Sequence, residues 1–485
     1  MNTTTIEQLQ PARLWHYFLE ICKVPRPSKN EQHIAAYLSE FAVQHKLDCT
    51  IDTAGNVFIR KPASPGYEHR QGVILQSHLD MVCEKNSDTF HDFDKDPILP
   101  RIDGGWVKAM GTTLGADDGI GIAAALAILE SSDIPHGPLE ALFTVDEETG
   151  LTGAFALTAD QLKGRILINL DSEDEGQLFI GCAGGKDTVA TMPMETEPVP
   201  NGHISFKAAI TGLTGGHSGD DINKGLGNAV KLMNRFLWNA QNTFEIALAD
   251  FNAGNLRNAI AREAFAVFTV HMDNEEPLFA YGEQFAADIK AEFLVTEPGL
   301  KFEIVPAPMP EVVLNDALQA DLLDALYACP HGVIAMSREI PDFVETSTNL
   351  ASVKFADKKI IITTSQRSSV ESSKKDVADM VASVFYLLQA DVEHSAGYPG
   401  WKPDPSSELL KVTAGAYRRL FSQEPKILAI HAGLECGLIG AIYPGMDMVS
   451  FGPTIKGAHS PDERLEIAST VKFWELTLEV LKNIP

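Results

Sequence analysis

Gly72-Val-Ile-Leu-Gln76-Ser-His78-Leu-Asp80 begins as an apolar run and ends in an imidazole and a carboxylate. A short β-branched run of this kind reads as a parallel strand buried on both faces. Ala141-Leu-Phe-Thr-Val145 and Arg165-Ile-Leu-Ile-Asn-Leu170 read the same way, and Asp146-Glu147-Glu148 and Asp171 follow them directly. In open α/β sheets, chemistry gathers in the crevice at the carboxyl ends of the strands. With Asp117 and His459 added, five apolar segments are expected to end in a candidate metal ligand: His78, Asp117, Glu147-Glu148, Asp171 and His459. Such a set is the raw material of a two-metal hydrolase site.

Each member has an ordinary explanation when taken alone. His78 and Asp80, two apart on an extended backbone, point to the same side. They could be a strand-end pair, or a ligand with the carboxylate that orients it. Asp117, in Gly115-Ala-Asp117-Asp118-Gly, could simply cap a helix. Glu147 and Glu148 could be a solvated turn, yet packing like charges after an apolar strand costs energy unless a cation relieves it. Five coincident turns that all present ligand-type side chains are much harder to explain separately.

Strand and helix signals alternate from about residue 50 to 183, the pattern of an α/β sheet with helices on its faces. Ser28-Lys-Asn-Glu31 reads as a capping box before a helix. Residues 118–130 read as a buried helix in which Gly119 and Gly121 permit close packing. After residue 186 the pattern changes to strand 203–212, helix 228–241, strand 264–271 and helix 277–293. It then recurs through 302–305, 314–327, 359–364 and 373–388. This predicts an inserted α+β lid domain, doubled, over 187–395, within a discontinuous catalytic domain of 1–186 and 396–485. The Pro/Gly/Ser-rich stretch 397–407 marks the return.

The chain has 485 residues, too many for one typical core. A net charge of −27 lacks the basic footprint that a nucleic-acid partner needs. Six scattered cysteines without a Cys-x-x-Cys pair fit a reducing compartment. No basic-then-apolar leader opens the chain, and no apolar run nears the ~20 residues of a membrane span. The expected location is the cytoplasm, away from membranes.

Six segments carry a resemblance that spans nearly the whole chain. They are Ser77-His-Leu-Asp-Met-Val82, Gly111-Thr-Thr-Leu-Gly-Ala-Asp-Asp-Gly-Ile-Gly121, Glu147-Glu-Thr-Gly150, Asn169-Leu-Asp-Ser-Glu173, Gly215-Gly-His-Ser-Gly219 and Gly457-Ala-His-Ser-Pro-Asp-Glu463. In this order they resemble the M20-type metallopeptidases, and among them the broad-specificity dipeptidases. The resemblance implies a mixed-sheet α/β zinc-peptidase domain holding two divalent ions, zinc first, with cobalt or manganese possible. It assigns His78 and Asp171 to one ion, Glu148 and His459 to the other, and Asp117 as the bridge. Glu147 becomes the general base and Asp80 the residue that orients His78.

It further implies that His217 polarises the scissile carbonyl, in cis or across a homodimer formed through the lid. Asn258 and Arg367 would bind the C-terminal end of a dipeptide, Xaa-His dipeptides included. Gly433 would line the pocket from the catalytic domain. A guanidinium such as that of Arg367 forks readily onto a carboxylate. The resemblance also implies a cis peptide at Asp117–Asp118, and the chain departs from the family pattern by having Asp118 where Asn is frequent. Two alternatives stay open: an N-acyl-amino-acid deacylase or carboxypeptidase on the same metals, and a metal- or peptide-binding protein without catalysis.

Overall fold

The computed structural model describes residues 5–485, which form two compact units. The first comprises the described residues up to Gly181 together with Pro403–Ala429 and Leu434–Pro485, and the second comprises Cys182–Lys402 and Ile430–Gly433. The boundaries expected at 186 and 396 both fall inside the second unit. Strand Gly184–Pro193 belongs to that unit's sheet, and Tyr398 and Trp401 pair through their backbones with Gly185 and Cys182. The segment read as a return linker therefore starts as a partner of that strand.

The main sheet of the first unit has eight strands. In spatial order they are Asp48–Ile51, Val57–Lys61, Leu139–Thr144, Val73–His78, Ile166–Asn169, Asp447–Ser450, Gln177–Cys182 and Lys426–Ile430. The four from Leu139–Thr144 to Asp447–Ser450 are parallel, while Val57–Lys61 and Asp48–Ile51 are antiparallel, so the sheet is mixed. Every residue of Val73–His78, Leu139–Thr144 and Ile166–Asn169 is buried, which is why these strands read as continuous apolar runs. Helix Ala116–Glu130 is buried on all sides except at Glu130, in keeping with its Ala-rich sequence.

The expected capping box is absent. Helix Gln32–His45 has no side-chain cap, because the Ser28 hydroxyl donates to Asp80 Oδ2 (2.7 Å) and Glu31 accepts from the Lys29 and Asp146 amides. A second, four-stranded sheet joins distant pieces of chain in the order Ile455–Lys456, Arg464–Glu466, Trp106–Lys108, Arg101–Asp103. Its central register pairs Arg464 with Lys108 and Glu466 with Trp106.

In the second unit, both passes of the strand-helix repeat enter a single nine-stranded sheet. Alternate residues such as Phe206, Ala208, Ile210 and Ala264, Ala266, Phe268 enter its core, as period-two burial requires. Helix Ala229–Phe244 adds Leu232, Met233, Phe236, Leu237 and Ala240. The Phe236 ring stacks on Tyr281 at 5.5 Å and lies tilted against Phe302 at 4.8 Å. No helix of the described residues is long and apolar enough to cross a membrane. Phe236→Ala should cost about 3–5 kcal/mol of stability, read from the midpoint of denaturant unfolding; a loss below ~1 kcal/mol would show that the cluster is not a core.

Candidate active site

Three neighbouring parallel strands deliver the first candidate ligands to one edge. His78 ends Val73–His78, Glu147 and Glu148 open the turn after Leu139–Thr144, and Asp171 follows Ile166–Asn169. The His78 Nε2 atom lies 3.1 Å from Asp117 Oδ1 and 3.6 Å from Asp171 Oδ1. The His459 Nε2 atom lies 3.2 Å from Asp117 Oδ2 and 3.0 Å from Glu148 Oε2. The two oxygens of Asp117 thus face two different imidazoles. The Asp117–Asp118 peptide is cis.

Asp117 and His459 do not come from ends of the parallel sheet, contrary to the five-strand expectation. Asp117 lies at the start of a helix reached by the loop after Trp106–Lys108, and His459 lies in the loop between Ile455–Lys456 and Arg464–Glu466. The small antiparallel sheet aligns those pieces and puts Glu463 beside residues 114–117. Its buried carboxylate accepts from four consecutive amides: Leu114 (2.7 Å) and Gly115 (2.9 Å) on Oε2, Ala116 (2.7 Å) and Asp117 (3.3 Å) on Oε1. From another direction, Arg26 donates through Nη2 to the Gly115 carbonyl (2.5 Å) and through Nη1 to the Leu79 carbonyl (2.8 Å). Gly115, at φ +69°, leaves room for this guanidinium; a Cβ there would stand 2.7 Å from Nη2.

Asp80 holds the other side. It lies 3.4 Å from His78 Nδ1 and accepts from the Ser28 hydroxyl and from the amides of Glu147 (3.0 Å) and Glu148 (3.2 Å). Burial would raise its pKa, but His78 and these donors outweigh burial and hold it at about 2. Burial drives Glu147 the other way, well above the usual carboxylate range, helped by Asp171, Glu435 and Glu148.

The donors fall into two sets that share one residue: His78, Asp117 and Asp171, and Asp117, Glu148 and His459, with ligand atoms within 4.8 Å of one another in each. Burial lifts Asp171 to about 6 despite His78. Glu148 Oε1 is buried without a hydrogen-bond partner. Crowded carboxylates with two imidazoles and an orphaned oxygen fit divalent cations with nitrogen and oxygen ligands. The nearby buried cluster Glu31, Asp80 and Asp146 differs, because its oxygens are already taken by amides and by the hydroxyls of Ser28, Thr149 and Thr152.

Asp118 accepts from the His78 amide (3.3 Å) and the Gly121 amide (3.2 Å). Burial, with Asp171 alongside, pushes its carboxyl well above the usual range. Close packing at Gly121 is real, since a Cβ there would stand 2.2 Å from Asp118 Oδ1.

Several site residues were not singled out from the sequence. Glu463 lay inside a recognised motif but had no role, and nothing marked Arg26. Gln76 and Asn169 were visible as polar residues inside apolar strands. Gln76 donates to Glu435 (2.6 Å) and Asn169 to Gln76 (2.5 Å), while Thr144 also donates to Glu435 (2.7 Å). These buried bonds tie together the strands that carry His78, Asp171 and Glu148.

His217, Asn258, Arg367 and Gly433 all lie in the second unit, which corrects the placing of Gly433 on the catalytic domain. His217 Nε2 is 3.4 Å from Arg367 Nη2, and the Ser218 amide donates to the Asn258 carbonyl (2.8 Å). A cavity of 920 Å³ is lined by His217 and Asn258, with Arg262 and Lys354.

Glu463→Gln replaces one oxygen by an NH₂ that must face two backbone donors. Metal affinity should fall about 10–100-fold, measured by competition with a chromophoric chelator, with the far-ultraviolet spectrum unchanged. Wild-type affinity would show that the Glu463 clamp does not set the site.

The Peptidase family M20/M25/M40 pattern matches residues 74–483. The chain is 45% identical over 480 residues to the cytosol non-specific dipeptidase of Escherichia coli K12, covering 99% of each. The crystal structure of aminoacylhistidine dipeptidase from Vibrio alginolyticus superposes with a TM-score of 0.94 at 45% identity, covering 99% of this chain and 98% of that one. Aminopeptidase PepT from Bacillus cereus, 17% identical with a TM-score of 0.57 over 98% and 99% of the two chains, shares the fold. With two ligand sets meeting on Asp117 and a family match across most of its length, the chain belongs to peptidase family M20/M25/M40.

Proposed function

We propose that this chain is a metal-dependent dipeptidase acting on dipeptides with a free C-terminal carboxylate, Xaa-His dipeptides among them. The observation that carries the reading is Asp117, whose two oxygens face separate imidazoles at 3.1 and 3.2 Å. His78, Asp171 and Asp117 would hold one divalent ion, and His459, Glu148 and Asp117 the other. Zinc leads, with cobalt and manganese compatible with the same donors. Bound there, such ions supply Lewis-acid polarisation and acidify a water.

The remaining work falls to side chains. Glu147 takes a proton from the attacking water on its carboxylate and delivers it to the leaving amine. Its backbone amide, anchored on Asp80 (3.0 Å), supports that placement. Asp80 orients His78. In the second unit, His217 donates to the scissile carbonyl oxygen as negative charge develops there. Arg367 and Asn258 take the C-terminal end of the substrate, and a guanidinium matches a carboxylate in geometry and charge. The proposal includes a homodimer through the second unit, with His217 serving the partner's site. Exposed apolar side chains there, Leu256, Val305 and Met309 among them, support an interface.

Glu147→Ala should lower kcat about 10²–10⁴-fold with metal content unchanged by elemental analysis; loss of metal as well would make Glu147 a ligand. His459→Ala should bind about one equivalent of metal less. A free dipeptide should be hydrolysed far faster than its N-acetylated form, and the reverse order would favour a deacylase. Inactive Glu147→Gln and His217→Ala proteins, mixed and allowed to exchange subunits, should regain up to about a quarter of wild-type activity, because about half of the dimers become hybrids and each hybrid has one of its two sites intact. No recovery despite demonstrated exchange would place His217 in cis.

A further inference from the structure

Tyr398 stands in Gly397-Tyr398-Pro399-Gly400, a segment whose composition reads only as a turn. Within the second unit its position is closely fixed. Its amide donates to the Gly185 carbonyl (2.9 Å), and its carbonyl accepts from the Gly185 amide (3.1 Å) and from Lys374 Nζ (2.5 Å). The ring lies between two glycines. A Cβ on Gly185 would stand 2.6 Å from Cε1, and one on Gly433 would stand 2.9 Å from Cε2. Side chains do not approach that closely, so the ring occupies this place because both neighbours lack one.

The hydroxyl faces Arg367, whose Nη1 donates to it at 3.1 Å. The buried guanidinium also reaches Ser218 Oγ through Nε and His217 Nε2 through Nη2, each at 3.4 Å. A guanidinium only donates, so the phenolic oxygen is the acceptor and keeps its own O–H as a donor. Burial pushes the phenol pKa up, keeping the proton in place at neutral pH. A positive fork and a neutral O–H donor thus stand side by side on rigid backbone, next to the histidine assigned to the carbonyl.

We infer that Tyr398 is a substrate-binding residue whose hydroxyl, beside Arg367, receives the substrate's C-terminal carboxylate. The inference rests on the dipeptidase reading above and sharpens the part played by Gly433. That glycine serves the pocket by having no Cβ, which leaves the Tyr398 ring its place.

The test is Tyr398→Phe in the zinc-loaded enzyme, a change that keeps the ring between its glycines and removes only the donor. KM for a dipeptide should rise about tenfold or more, as for a lost hydrogen bond to a charged group. The turnover number should change little, and the melting temperature should stay put. The C-terminal amide of the same dipeptide, assayed as a competitive inhibitor, should have the same inhibition constant in both proteins. An unchanged KM in an active variant, or an equal loss for acid and amide, overturns the assignment. A wild type unable to hydrolyse any dipeptide overturns the dipeptidase reading itself.

Discussion

The Glu463 carboxylate on the amides of residues 114–117 is the bond set on which the first unit's site depends. It links two segments more than three hundred residues apart in sequence and fixes the one side chain, Asp117, common to both ligand sets. Hydrogen bonds to an ionised acceptor are stronger than neutral ones, and a buried carboxylate left without such donors is costly. Loop and carboxylate therefore satisfy each other. Arg26 closes the arrangement by taking the Gly115 carbonyl, so both polarities of the loop backbone are spoken for.

The same logic places the remaining candidate ligands. Asp80 binds the amides of Glu147 and Glu148 while lying against His78, so one buried carboxylate orders two of the proposed ligands and the proposed acid–base residue together. Beneath the ligands, Gln76, Thr144, Asn169 and Glu435 form a buried hydrogen-bonded strip across the strands. Donor positions in a metal site tolerate little error, and such supporting shells set ligand orientation and basicity. Buried polar residues inside otherwise apolar strands are the sequence trace of that support.

The strands bearing His78, Glu148 and Asp171 were legible because burial on both faces forces continuous apolar runs, and strand ends follow from them. The α/β class, the four α-helices of the second unit and four of its strands were legible through periodicity, whereas strands such as Gly184–Pro193, Ala247–Ala253 and Val344–Ala356 were not. The delivery of Asp117 and His459 was not, since it depends on a small sheet pairing Trp106–Lys108 with Arg464–Glu466, a long-range register with no local signature. The capping box at Ser28 failed for a related reason: tertiary demand from Asp80 took the serine hydroxyl. Tyr398 was hidden by composition, because a Pro- and Gly-rich segment reads as a turn whatever its aromatic residue does. The pairing of Gly185 and Gly433 around that ring exists only in three dimensions.

The proposed site depends on Asp117 being shared by two cations. The most direct measurement is an anomalous difference map from crystals grown with zinc, with data on both sides of the zinc absorption edge. Two peaks are predicted, one within bonding distance of His78, Asp171 and one Asp117 oxygen, the other within bonding distance of His459, Glu148 and the second Asp117 oxygen, at the ~2.0–2.2 Å usual for zinc–oxygen ligation. A single peak, or two peaks of which only one touches Asp117, would contradict it.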